Sequence, residues 1–243
     1  MSIIQFHKST ALEFMRAMPD KSVDVAIFDP PYDEKTHDGA LNAEDIDFTP
    51  IVDFEHVTEA LRVTKRWVLC FCALEQLGAY QTKAGGAWVR AGIWVRHSGP
   101  QKTGDRPGQA AEGIAIMHPE GKKRWNGGGK AAIWETSIVT AKGRLHPTQK
   151  PVFLMEMLIR DFTDTGETVL DCFAGSGTTG VAAISEGRKF VGCEATERYF
   201  AVANRRLNAC REQLTISYEP PRPKRKVRTK QLAFTLEAPD GPK

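Results

Sequence analysis

Two stretches of this 243-residue chain end an apolar run in residues able to do chemistry. In the first, Val23–Phe28 stops at Asp29-Pro30-Pro31-Tyr32: a carboxylate, two rings that fix the backbone, and an aromatic side chain held behind them. In the second, Val169-Leu170 leads into Asp171-Cys172-Phe173-Ala174-Gly175-Ser176-Gly177-Thr178. Glycines there let the backbone turn tightly and approach a ligand, and the helix that follows offers unpaired N–H groups. Gly175, Gly177 and Gly180 match the dinucleotide fingerprint, and Glu194 falls 19 residues after Gly175. A carboxylate at the end of the next strand accepts hydrogen bonds from ribose hydroxyls. The loop therefore implies a nucleoside-containing cofactor. Nicotinamide dinucleotide and S-adenosylmethionine both qualify, so an oxidoreductase remains open on this loop alone.

The Asp-Pro-Pro-Tyr motif narrows the choice. An exocyclic base amine is a poor nucleophile because its lone pair is delocalised into the ring. Asp29, with the carbonyl of Pro30, can bind both N–H hydrogens and draw the nitrogen toward tetrahedral geometry. The lone pair then points at a methyl donor fixed on the glycine loop. Tyr32 can stack on a base that has left its duplex. The same four residues also suit a plain strand-terminating turn, since Asp-Pro and Pro-Pro favour turns.

The elements that must position these motifs alternate. Strands are expected at Ile3–Phe6, Val23–Phe28, Trp67–Cys72, Trp88–Val95, Gly113–Met117, Thr168–Cys172 and Phe190–Cys193. Helices are expected at Ala11–Met18, Val52–Val63, Ala73–Lys83, Val152–Phe162, Thr178–Glu186 and Arg198–Cys210. Such alternation implies an α/β fold with a mainly parallel sheet and helices on both faces. Trp125–Lys130, with Gly127, Gly128 and Gly129, is expected to be flexible loop. Cys70 and Cys72, two apart in an apolar run, suit one face of a buried strand.

Composition sets further bounds. The five cysteines include no CxxC pair, which suits reduced thiols and no structural metal. No long apolar run spans a membrane, and the N-terminus lacks the layout of a signal peptide, so a cytoplasmic location is expected. The net charge of +3 is unevenly spread. Residues 220–230 hold six Lys/Arg and no acid, and 96–144 holds nine against four acids, leaving an acidic body. Two basic zones on an acidic body suit nucleic acid. Within 96–144, Lys102, Arg106, Lys122, Lys123, Arg124, Trp125, Asn126 and Lys130 mix phosphate-binding, base-reading and stacking types, which suits DNA contact. His37-Asp38-Gly39 suits a lid over substrate.

With those residues in place, the chain resembles the β class of S-adenosylmethionine-dependent DNA amino-methyltransferases, in which the Asp-Pro-Pro-Tyr half precedes the cofactor half. Supporting stretches are Leu145-His146-Pro147-Thr148-Gln149-Lys150-Pro151, Phe190-Val191-Gly192-Cys193-Glu194 and Pro19-Asp20-Lys21-Ser22-Val23-Asp24; together the matches cover most of 1–210. The resemblance implies the Rossmann-like methyltransferase fold, a seven-stranded sheet with one antiparallel strand, circularly permuted relative to other classes. It implies a methyltransferase domain at 1–216 with a DNA-recognition insertion at about 96–144, then a basic flexible tail at 217–243. It implies catalysis by Asp29, Pro30, Pro31 and Tyr32. It also implies cofactor contacts from Thr10, Asp29, His146, Thr148, Gln149, Lys150, the run Asp171 to Thr178, Glu194 and Ala195, with Lys150 and its neighbours by the methionine end. The family has Gly-Asp before its first helix, the Asp approaching the cofactor's adenine; Ser9-Thr10 stands here, so Thr10 replaces that anchor weakly. Asp rather than Ser opening the first motif favours adenine-N6, while cytosine-N4, RNA or protein glutamine acceptors, and a DNA-binding protein without catalysis stay open. Double-stranded DNA and a second copy of the chain are the expected partners.

Overall fold

The computed structural model describes residues 4–31, 53–97, 107–139, 145 and 148–217, with side chains to 213. Strands β1 (Ile4–Lys8), β2 (Val23–Phe28), β3 (Thr64–Cys72), β4 (Trp88–Arg96), β5 (Ala111–Met117), β6 (Ile133–Thr136), β7 (Thr168–Asp171) and β8 (Lys189–Glu194) form one sheet. Its order is β1-β8-β7-β2-β3-β5-β4-β6. Only β5 is reversed: it pairs antiparallel with β3 and with β4, and every other neighbouring pair is parallel. The count is eight, not seven. The extra strand, β6, has only four residues on an open edge, exposed and buried in alternation, and is too short to stand out in the sequence.

Among the described residues six α-helices cover the sheet: α1 (Ala11–Arg16), α2 (Glu55–Val63), α3 (Leu77–Ala84), α4 (Val152–Phe162), α5 (Thr178–Ser185) and α6 (Glu197–Ser217). Successive strand residues point to opposite faces. Val25, Ile27, Trp67, Leu69 and Phe71 join the core under α4, α5 and α6. Ala26, Phe28, Val68, Cys70 and Cys72 join the core under α1, α2 and α3. Cys70 and Cys72 thus share one face, and burial pushes the Cys72 thiol up to about 12. With helices on both sides, the central strands read as continuous apolar runs rather than alternating ones.

The stretch 96–144 supplies two strands of the sheet, β5 and β6. The reversal of β5 returns the chain to the end of the sheet where the parallel strands begin. There the Trp67 ring meets His118 edge-on at 4.7 Å. Trp125–Lys130, expected to be flexible, is pinned at that end. Trp125 packs on Phe162 and donates to the Gly128 carbonyl at 2.8 Å; Asn126 donates to the Thr163 carbonyl at 2.8 Å. A Cβ at Gly127 would fall 2.0 Å from the Trp125 ring, so the tight turn admits only glycine. No helix among the described residues is long and apolar enough to cross a membrane.

Candidate active site

The site lies where the parallel strands end, the ordinary place for ligands in open α/β sheets. Strands β2 and β7 are neighbours, Val25 pairing with Val169 and Ala26 with Leu170. The two motifs, far apart in sequence, therefore emerge side by side. Asp29 follows β2, with Pro30 buried and Pro31 half-buried. Tyr32 lies outside the described residues, as does His37-Asp38-Gly39.

The Lys150 ammonium sits 2.6 Å from Asp29 Oδ1 and 3.1 Å from Glu112, with its side chain only 7% exposed. It also lies over the rings of Phe71 and Trp94, 5.0 and 5.8 Å from their centroids. Burial opposes the charge on Lys150, but Asp29 and Glu112 outweigh it and raise the ammonium above the usual lysine range. Lys150 thus reaches the Asp-Pro-Pro-Tyr motif directly, and Glu112 joins the site without having been singled out in the sequence. Its local pattern resembles any strand-start acid.

The glycine loop is held from three sides. Gly177 has φ of 79°, and its N–H donates to the Ala174 carbonyl at 2.7 Å to close the turn before α5. Asp171 Oδ1 accepts from the Phe173 N–H at 2.9 Å. Phe173 packs edge-on against Phe28 at 5.7 Å, joining the two motif strands. Arg206 of α6 donates to the Ser176 carbonyl at 2.6 Å and approaches Ser176 Oγ and Thr178 Oγ1 at 3.0 and 3.4 Å. Arg206 was not expected here; a helical cation 30 residues from its partner leaves no local sequence mark. Cys172 is a buried thiol raised by burial, and Ala174 is tied to β8 through the Cys193 carbonyl at 3.2 Å.

Glu194 closes the cradle at the end of β8. Its two oxygens accept from the Gly175 N–H at 2.8 Å and the Thr196 N–H at 2.9 Å. A carboxylate oxygen takes more than one donor, so this fixed carboxylate can also accept ribose hydroxyls. Ala195 is exposed beside it. Burial raises Asp171 to about 7, and the charges of Asp29 and Glu194 push the same way. A buried Asp171 that feels both Asp29 and Glu194 at the strand ends fits a cofactor whose reacting atom is cationic.

The remaining expected residues divide. Thr10 caps α1, accepting from the Glu13 N–H at 3.4 Å, and its backbone neighbours β8 through Ser9, whose N–H donates to the Glu194 carbonyl at 3.2 Å. Thr10 is therefore near the cradle, with its hydroxyl used as a helix cap. Gln149 Oε1 accepts from the Leu145 N–H at 2.9 Å, bracing the turn that delivers Lys150; Thr148 is half-buried there. His146, Lys102 and Arg106 lie outside the described residues, as does the tail from 218. Lys122 and Lys123 are exposed, and Arg124, Trp125, Asn126 and Lys130 are tied to Asp164, Phe162, Thr163 and Asp161. All six sit at the opposite end of the sheet from Asp29. The structure does not bring them to the site.

Known proteins resemble this chain in sequence and fold. A family model described as DNA methylase matches residues 23–205. Type II methyltransferase M2.DpnII of Streptococcus pneumoniae is 50% identical over 64 residues, 26% of this chain and 24% of that one. Type II methyltransferase M.HinfI of Haemophilus influenzae is 24% identical over 261 aligned positions, 88% of this chain and 73% of that one. The chain thus matches the first curated relatives over about a quarter of their own length. Among solved structures, the M1.HpyAVI–SAM complex superposes with a TM-score of 0.65 at 25% identity, covering 85% of this chain and 100% of that one. The cytosine-N4-specific PvuII DNA methyltransferase superposes at 0.66 with 16% identity, covering 85% and 86%, a likeness of fold.

Proposed function

This chain belongs to the S-adenosylmethionine-dependent DNA amino-methyltransferases, and from that premise we propose that it methylates N6 of adenine at a specific site in double-stranded DNA. Membership removes the oxidoreductase reading, which shared only the glycine loop. The observation that carries the proposal is the placement of Asp29, ion-paired to buried Lys150, on the strand next to the glycine loop.

S-adenosylmethionine, when bound, supplies an electrophilic methyl group on a sulfonium. Glu194 holds the ribose hydroxyls, and the loop from Asp171 to Thr178 lines the rest of the cofactor, with Arg206 keeping that loop closed. Asp29 and the Pro30 carbonyl accept the two amine hydrogens of the flipped base and aim its lone pair. Tyr32 stacks on the base. Held by Asp29 and the Pro30 carbonyl, the amine nitrogen would take the methyl group with a neutral thioether as leaving group, and its surplus proton would pass from the hydrogen bond at Asp29 to solvent. Positive charge moves onto that nitrogen in the transition state, where a preorganised carboxylate stabilises it. The opening Asp of the motif supports adenine over cytosine. Self-association belongs to the same reading, and a mass of one chain by light scattering, with and without DNA, overturns that part.

The test is incubation with mixed-sequence unmethylated DNA and labelled S-adenosylmethionine, followed by nucleoside analysis. N6-methyladenine is the expected product. N4-methylcytosine in its place overturns the base assignment, and label in neither overturns the reading. Tyr32→Phe keeps the stacking ring and is expected to retain most activity, whereas Tyr32→Ala loses about 1–3 kcal/mol of base stacking.

A further inference from the structure

The Asp29–Lys150 pair is one half of a longer chain of charge. Glu112 is the second residue of β5 and pairs in register with Trp94 of β4. Its Oε2 lies 3.1 Å from Lys150, and its Oε1 lies 3.4 Å from Arg96 at the end of β4. Arg96 is itself fixed, donating to the Gln109 carbonyl at 2.5 Å and, through its backbone N–H, to the Ala110 carbonyl at 2.8 Å. The order Arg96–Glu112–Lys150–Asp29 therefore runs across the site end of the sheet, from β4 and β5 past β3 to the end of β2, and stops at the Asp29 carboxylate.

Two consequences follow from elementary electrostatics. A lysine paired with Asp29 alone would leave a neutral pair, poorly suited to stabilise positive charge growing on an amine. Sharing the ammonium with Glu112 loosens its neutralisation of Asp29, while Arg96, 3.4 Å from Glu112, balances the second carboxylate. Position matters equally. The Lys150 ammonium is carried on a flexible stem, and two carboxylates plus two ring faces leave it a single place to sit. Burying such a network adds little net stability compared with an apolar replacement, so its effect is concentrated on orientation and charge at the site.

We infer that Glu112 is a positioning residue for methyl transfer: anchored by Arg96, its charge holds the Lys150 ammonium in place and, through it, orients the Asp29 carboxylate. This rests on the proposed methyl-transfer reading. The experiment compares wild type, Glu112→Gln and Glu112→Ala in steady-state methylation of DNA, with S-adenosylmethionine binding by calorimetry and thermal melting on the same samples. Gln keeps shape and hydrogen bonding but removes charge. Both variants are expected to lose about ten- to a hundredfold in kcat, the scale of a charge-assisted hydrogen bond. The KM for S-adenosylmethionine, its affinity and the melting temperature should stay close to wild type. A Gln variant as active as wild type overturns the inference, whether or not Ala is impaired, because charge is then unused. A loss of kcat matched by a loss of cofactor affinity or of folded protein also overturns it. Wild type that methylates DNA while Glu112→Gln is unaffected leaves the methyltransferase reading standing; wild type that transfers no methyl group to DNA overturns both.

Discussion

The two ends of the sheet treat charge in opposite ways. Where the parallel strands begin, cations and acids are matched. Arg66, 9% exposed, pairs with Glu167 and donates to the Arg124 carbonyl at 3.1 Å, while Arg124 and Asn126 meet Asp164 at 2.6 and 3.0 Å. Arg188 donates to Thr163 twice, at 2.9 and 2.8 Å. Where the strands end, Asp29 and Glu194 are close enough to disfavour the ionisation of Asp171, and Lys150 is shared between Asp29 and Glu112. One end is built to hold the chain together. The other holds charge in a state that a cationic cofactor and a developing cation can relieve, as perturbed groups at functional sites do.

Substitutions at the two ends should therefore fail differently. The largest expected effect is at Asp29. Asp29→Ala should lower methyl transfer by about a thousandfold, at the upper end of what one preorganised group supplies, with DNA binding and folding retained. Single-turnover transfer within about threefold of wild type would break the comparison. Next is Arg66→Met, which strands a part-buried acid pair and should destabilise the fold by about 3 kcal/mol in urea titration, with kcat unchanged on the folded fraction. A reduced kcat on fully folded protein would mean the far end acts on chemistry. Glu194→Ala should then weaken S-adenosylmethionine binding by about 1–3 kcal/mol, or tenfold to a hundredfold. Unchanged calorimetry would remove Glu194 from the cradle.

A smaller effect should appear with pH. Burial raises Asp171 from 3.8 to about 7, so the folded chain takes up a proton across that window that the unfolded chain does not. Stability from this group is present below about pH 4 and is lost as pH rises through about 7. Asp171→Asn removes the titration, so its melting temperature relative to wild type, measured without cofactor, should rise between pH 5 and 8. A difference that stays flat, or falls, would show Asp171 ionised throughout. The smallest effect is expected at Lys122 and Lys123. The double alanine variant should leave DNA affinity within about twofold at moderate salt, because these cations face away from the site. A loss of tenfold or more would place DNA across the far end after all.

Much of this was legible in the sequence, for reasons that differ by residue. Asp29-Pro30-Pro31 and Asp171–Thr178 combine rigid or permissive backbone with reactive side chains in consecutive positions, so their roles show at short range. Strands β2, β3, β7 and β8 stand out as apolar runs because both faces are covered. The expectation of DNA contact at Lys122 to Lys130 rested on composition, which cannot tell a lysine beside Asp161 from one beside a phosphate; Lys130 lies 2.9 Å from Asp161. β6 was missed because four residues on an edge carry too little pattern.

By itself the sequence determined the family's motifs and the elements that carry them, since both depend on neighbours a few positions apart. Tertiary structure decided how those residues combine. Lys150 and Asp29 are 121 positions apart, and what places them 2.6 Å from each other is the strand order that seats β7 beside β2 and β5 beside β3. The same order, with β5 reversed, puts Glu112 at the site and sends Lys122 through Lys130 to the opposite end. Sheet pairing is a long-range choice made by burying apolar faces together, and no local run of residues records it.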